Sequence, residues 1–79
     1  HIYPNPVVDN QFTIGVSSSI TDKVTITIYN IIGQSVYKVS ATPINNTIQV
    51  QPNVELKAGV YMVEMTHNGQ TNTQKIIVK

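Results

Sequence analysis

The 79-residue chain contains no cysteine, no tryptophan and no arginine, and leucine occurs once, at Leu56. Without cysteine there is no disulfide, no thiolate nucleophile and no cysteine-ligated metal. Size sharpens that exclusion, because a chain this short buries only roughly 60% of the surface its unfolded form exposes. The fold must therefore rest on core packing and backbone pairing alone. Charge is also scarce, with five lysines against four carboxylates and a net charge of +1. A nucleic-acid binder needs a clustered basic face, preferably with arginine, whereas Lys23, Lys38, Lys57, Lys75 and Lys79 are scattered. No apolar run approaches the roughly 20 residues of a membrane-spanning helix, and no stretch reads as a secretory signal peptide.

What is present points to sheet. Valine and isoleucine occur eleven times each and threonine nine times, against two alanines. β-Branched side chains pack well on a pleated surface and lose rotamer freedom in helices. Alternating runs separated by turn residues recur at the spacing of a sandwich or barrel. Gln11 to Val16 places Phe12, Ile14 and Val16 on one face, and Lys23 to Tyr29 alternates Val24, Ile26 and Ile28 with Thr25, Thr27 and Tyr29. Asn30-Ile31-Ile32-Gly33 reads as a turn, and Gln34 to Ser40 as a third run with Tyr37 and Val39 on one side. Ile44, Ile48 and Val50 supply a fourth, interrupted by the polar turn Asn45-Asn46, and Pro52 takes the chain out of the sheet. Gly59 to Thr66 points Tyr61, Val63 and Met65 inward. Asn68-Gly69 is a strong type I′ hairpin signal, and it predicts an antiparallel return strand over Thr71 to Val78. The expectation is one all-β domain, an antiparallel sandwich of about six to seven strands, immunoglobulin-like in architecture.

No residue set converges on catalysis. The histidines are His1 and His67, and Asp9, Asp22, Glu55 and Glu64 fall in separate segments, so no nucleophile–base–orienter set is implied and the chain is not expected to be an enzyme. Asp9-Asn10 and Thr21-Asp22 could lend oxygens to calcium, but turn-forming side chains explain both without a metal. No cofactor or small-molecule substrate is indicated. Asn45-Asn46-Thr47 matches a glycosylation sequon and reads as a polar turn. Tyr29 and Tyr37 flank one turn; if both rings were exposed they could form a carbohydrate platform, which is the alternative reading: an accessory carbohydrate-binding or adhesion module of a secreted enzyme.

Three landmarks remain: Tyr3-Pro4-Asn5-Pro6 at the start, Leu56-Lys57-Ala58-Gly59-Val60-Tyr61 two-thirds along, and Lys75-Ile76-Ile77-Val78-Lys79 at the end. Together with the Val-Thr-Ile-Thr-Ile-Tyr-Asn run before Gly33-Gln34, their order and spacing resemble the type A C-terminal sorting domain of the bacterial type IX secretion system. The tail departs slightly, with Gln74-Lys75 where relatives carry two lysines. The resemblance implies that residues 1–79 form a single C-terminal sorting domain excised from a larger secreted protein. It implies passage through the periplasm, recognition by the outer-membrane translocon, removal by a sortase-like peptidase, and cargo that ends at the cell surface or outside the cell. The recognition candidates it suggests are Pro4, Pro6, Gly59, Tyr61, Lys75, Ile76, Val78 and Lys79. Landmarks so far apart in sequence would be read together only on a folded domain, and Thr71–Lys79 is expected to offer an open edge for strand addition.

Overall fold

The computed structural model describes residues 1–79 and contains seven strands and no helix. They are β1 (Ile2–Val8), β2 (Gln11–Gly15), β3 (Val24–Asn30), β4 (Ser35–Ala41), β5 (Thr47–Val50), β6 (Gly59–His67) and β7 (Gln70–Val78). The strand order is β4-β3-β6-β7-β1-β2-β5, and it wraps into two layers around one core, a small immunoglobulin-like sandwich. Every pairing is antiparallel except one: β1 meets β7 in parallel at Val7↔Val78.

Period-two alternation builds the core. Val24, Ile26 and Ile28 of β3, Phe12 and Ile14 of β2, Ile48 and Val50 of β5, Tyr61 and Val63 of β6, and Ile76 and Val78 of β7 are all buried. Leu56 seals the β5–β6 loop against the same cluster. The paired outward positions carry threonine, lysine and glutamate. Thr27 is the exception, an outward residue that is nonetheless buried, with Lys38 and Glu64 opposite it on the two neighbouring strands.

Three hairpin turns share one chemistry. Asp9-Asn10 (φ +58° and +56°), Asn45-Asn46 (+53° and +61°) and Asn68-Gly69 (+49° and +78°) all place both central residues at positive φ. That is the type I′ geometry whose twist matches paired strands, and asparagine and glycine tolerate it best. The turn at Asn45-Asn46 is closed by mutual backbone bonds between Ile44 and Thr47 (2.9 and 3.1 Å). It turns Ile44 into solvent, 73% exposed, so Ile44 does not join Ile48 and Val50 in the core as the pattern predicts.

The opening Pro4-Asn5-Pro6 segment precedes the first alternating run in the sequence, yet it is the middle of β1. Both X–Pro bonds there are cis. Ile2 and Tyr3 pair with Ile14 and Thr13 of β2, and the β1–β2 register is broken between Tyr3 and Val8. Proline donates no ladder bond, so an irregular stretch is where a sheet tolerates it. Beyond the break Val7 turns to β7, and one strand thus serves both layers.

Asn10 ties the β1–β2 turn to the β5–β6 loop. Its Nδ2 donates to the carbonyls of Val54 (2.8 Å) and Pro52 (3.3 Å), and its Oδ1 accepts from the Leu56 amide (2.8 Å). We expect Asn10→Gly, which keeps the positive φ but removes these bonds, to lower stability by about 2 kcal/mol. Asn10→Ala should cost about 1 kcal/mol more, because alanine resists that φ. In a domain this small the loss should lower the thermal midpoint by about 10 °C or more, measured by circular dichroism.

Candidate recognition surface

The three sequence landmarks lie side by side at one end of the sandwich. Gly59 pairs with Val78, and Tyr61 with Ile76. On the far side of β7, Val7 pairs with Val78, the Ile77 amide donates to Asn5 Oδ1 (3.1 Å) and the Lys79 amide donates to the Val7 carbonyl (3.1 Å). The start of β6, the end of β7 and the middle of β1 are therefore three neighbouring strands. Leu56 joins them through Asn10, and the Tyr61 hydroxyl donates to the Lys57 carbonyl (2.7 Å), four residues upstream. A tyrosine at the start of a strand whose hydroxyl fastens the loop before it is the corner device of Greek-key sandwiches. Gly59 holds φ +154° at that corner, a conformation side chains resist.

The candidates divide by burial. Tyr61, Ile76 and Val78 are core residues, so their contribution is to shape. Pro4, Pro6, Gly59, Lys75 and Lys79 are exposed. Lys75 stands opposite Met62, away from the very end, and the other exposed candidates line the end or the β1 crossing.

Sequence reasoning missed most of the apolar surface here. Of eight large hydrophobic residues left exposed, six belong to this end: Val8, Ile31, Ile32, Val54, Val60 and Ile77. Val60 and Ile77 are cross-strand partners on the outer face. Ile31 and Ile32, at 77% and 74% exposed, form the tip of the β3–β4 hairpin, which reaches the same end because Asn30 pairs with Tyr61. That tip is held rigidly, since Asn30 Oδ1 accepts from the amides of Ile32 (3.2 Å) and Gln34 (2.9 Å). The available signal was two isoleucines inside a turn, where polar residues are usual.

The opposite end carries polar turns, with Ile44 exposed beside Asn45-Asn46. His67 at the close of β6 hydrogen-bonds Asp22 in the β2–β3 loop. That bond holds the Asp22 carboxyl below the usual carboxylate range. On the outer face, burial and then the Glu64 charge push the Tyr29 hydroxyl up, as it donates to Glu64 Oε1 (3.3 Å). Tyr37 instead pairs with Ile28 and packs against the core, so the two rings take opposite faces and form no common platform. The strand-edge expectation also needs correcting. From Ile76 to Lys79, β7 is covered by β1, and only its first half is bare.

The fold is a two-layer β domain whose three sequence landmarks are gathered into one corner. Residues 1–79, the whole chain, match the family described as the secretion system C-terminal sorting domain, and the chain belongs to that family. It is 34% identical over 79 residues, 99% of its length, to an endo-acting ulvan lyase of Formosa agariphila. The chain spans 14% of that protein's length, so the similarity concerns one segment of it. Membership makes this a type IX secretion sorting signal, which implies export to the cell surface or the extracellular space.

The Asp22–His67 bond sets a pH dependence. A carboxyl held below its unfolded value stabilises the fold above that value and loses its effect as pH falls through the folded one. The difference in thermal midpoint between wild type and Asp22→Asn should therefore be present at about pH 5 and close as the pH drops below about 4. Melting curves across that interval measure it; a gap that stays constant to pH 2 would refute the assignment.

Proposed function

We propose that the export machinery reads this domain as a folded object and that the corner joining β6, β7 and β1 is the surface it reads. The observation that carries the reading is the convergence of Asn5–Val7, Gly59–Tyr61 and Ile76–Lys79 on adjacent strands, next to six exposed apolar residues. Unpartnered apolar surface concentrated at one end of a small domain is the usual mark of a protein contact. In this reading the domain ends a longer secreted protein and meets the outer-membrane translocon after crossing the periplasm. A sortase-like peptidase then removes it, and the cargo is anchored or released. Pro4 and Pro6 stiffen the strand nearest the cargo junction. Gly59, Tyr61, Ile76 and Val78 shape the corner, and Lys75 and Lys79 flank it with positive charge. The ulvan lyase similarity supports a polysaccharide-degrading cargo as one class this signal can carry, without assigning one here.

The test is secretion of a reporter fused ahead of the domain in a type IX-competent cell. Ile76→Lys with Val78→Lys buries two unpaired charges, costs more than about 4 kcal/mol and should abolish folding and secretion together. Ile31→Ser with Ile32→Ser touches only exposed side chains; it should leave the melting temperature within a few degrees and lower the secreted reporter. Lys75→Gln with Lys79→Gln should likewise keep the fold and reduce export. Normal secretion by both folded surface variants would remove this corner from recognition, and failure of the wild-type fusion to leave the cell would sink the sorting role itself.

A further inference from the structure

We infer that the first half of β7 and the cleft beneath it form a strand-acceptor site, taking an extended peptide segment from a protein partner. This rests on the sorting reading only for what supplies the segment. Along β7 the residues whose amides point away from β6 are fixed by Ile77 and Lys79, both of which donate toward β1. Alternation gives Thr73 and Thr71 the same direction. No strand lies opposite them, because β1 pairs with β7 at Val7↔Val78 and its first residues have crossed to β2. Thr71 and Thr73 therefore present bare main-chain donors and acceptors in a straight, unbulged stretch.

The other free edges are managed differently. β4 is interrupted by an irregularity opposite Ile28 and Tyr29, and β5 is only four residues long, both devices that discourage pairing. The β7 edge has neither. It also borders a cleft of about 430 Å³. One wall is apolar, made by Val16, Ile20, Val24 and Met65, and the other carries the inward carboxamides of Asn72 and Gln74. The sandwich is thus unfinished here, because the inner face of β7 changes from Ile76 and Val78 to amides just where β1 departs.

An occupant that satisfies all of this is a strand. Its backbone would pair with Thr71 and Thr73, continuing the line that Asn5–Val7 begin along the same edge. Its inward side chains would alternate into the cleft, an apolar one against Ile20 and Met65 and a polar one against the carboxamides. Main-chain bonds give such addition its affinity and the alternate pockets its selectivity. The aromatic rings lining the cleft are the imidazoles of His1 and His67, with no phenylalanine or tyrosine among them.

The test uses the 79-residue chain and a blocked peptide alternating threonine and valine, followed by NMR titration. Shifts should be confined to the amides around Thr71–Gln74 and to the methyl groups of Ile20 and Met65. Thr73→Pro removes a donor that β6 does not use, so the fold should survive and the peptide should bind about tenfold more weakly or worse. Ile20→Glu gives a second variant in a loop, and it should weaken binding by charging the apolar wall. Thr73→Val should bind normally. Absence of saturable shifts, shifts centred on the Ile31–Ile32 tip, or a folded Thr73→Pro that binds like wild type would overturn the site. So would a dimer, seen by sedimentation, that Thr73→Pro dissolves, since the occupant would then be a second copy. If the peptide binds as described while the wild-type reporter fusion is not secreted, the acceptor site stands and the sorting reading falls.

Discussion

The double pairing of β1 holds the two layers of this domain together. Its first residues belong to the β2 side and Val7 to the β7 side, and the change of partner happens across Pro4-Asn5-Pro6. Without that crossing the β1-β2-β5 layer and the β4-β3-β6-β7 layer would share only side-chain packing and three loops. A domain of this size has little core to spare, so a covalently continuous strand bridging both layers is worth more than an isolated pair would be. The Asn5 carboxamide extends the bridge by accepting from Ile77, which replaces a ladder bond that the irregular backbone does not make.

The crossing also sets the polarity of the molecule. Where β1 runs beside β7, the sheet is complete and the first, middle and last motifs are neighbours. Where β1 has left, the sheet has a bare edge over a half-polar cleft. Exposed apolar residues follow the same division, with Ile31, Ile32, Val54 and Val60 at the complete end and the His67–Asp22 bond and the Asn45-Asn46 and Asn68-Gly69 turns at the other. One strand's change of partner thus separates two surfaces of different chemistry.

Much of this was legible in the sequence. The alternation of Val24, Ile26 and Ile28, of Tyr61 and Val63, and of Ile76 and Val78 gave the correct inward faces, because the sheet period is independent of tertiary context. Asn68-Gly69 specified its hairpin through its own conformational preference. β1 was not legible as a strand, since two prolines argue against ladder bonds and only the partner strands show that the break falls between pairings. Ile44 was assigned inward by spacing, but an asparagine pair that closes a tight turn rotates it out. The Asn10 contacts were invisible because side-chain bonds to residues more than forty positions away leave no periodic trace. For the same reason the corner could be suspected from the landmarks but not drawn.

The motif residues and the contact residues of such a signal need not coincide. Tyr61, Ile76 and Val78 carry the family pattern yet lie within the core, out of reach of any partner that meets the folded domain. In the proposed reading, changing them alters the signal by unmaking the shape that presents it. The residues able to touch a partner are the less diagnostic ones around them, such as Ile77, Val60, Ile31, Ile32 and the flanking lysines. In a domain without disulfides to hold it, with stability resting on a few strands, the proposed reading makes folding and being recognised a single requirement. An unfolded copy would present the same landmarks tens of residues apart on a flexible chain, with no corner for a receptor to grip.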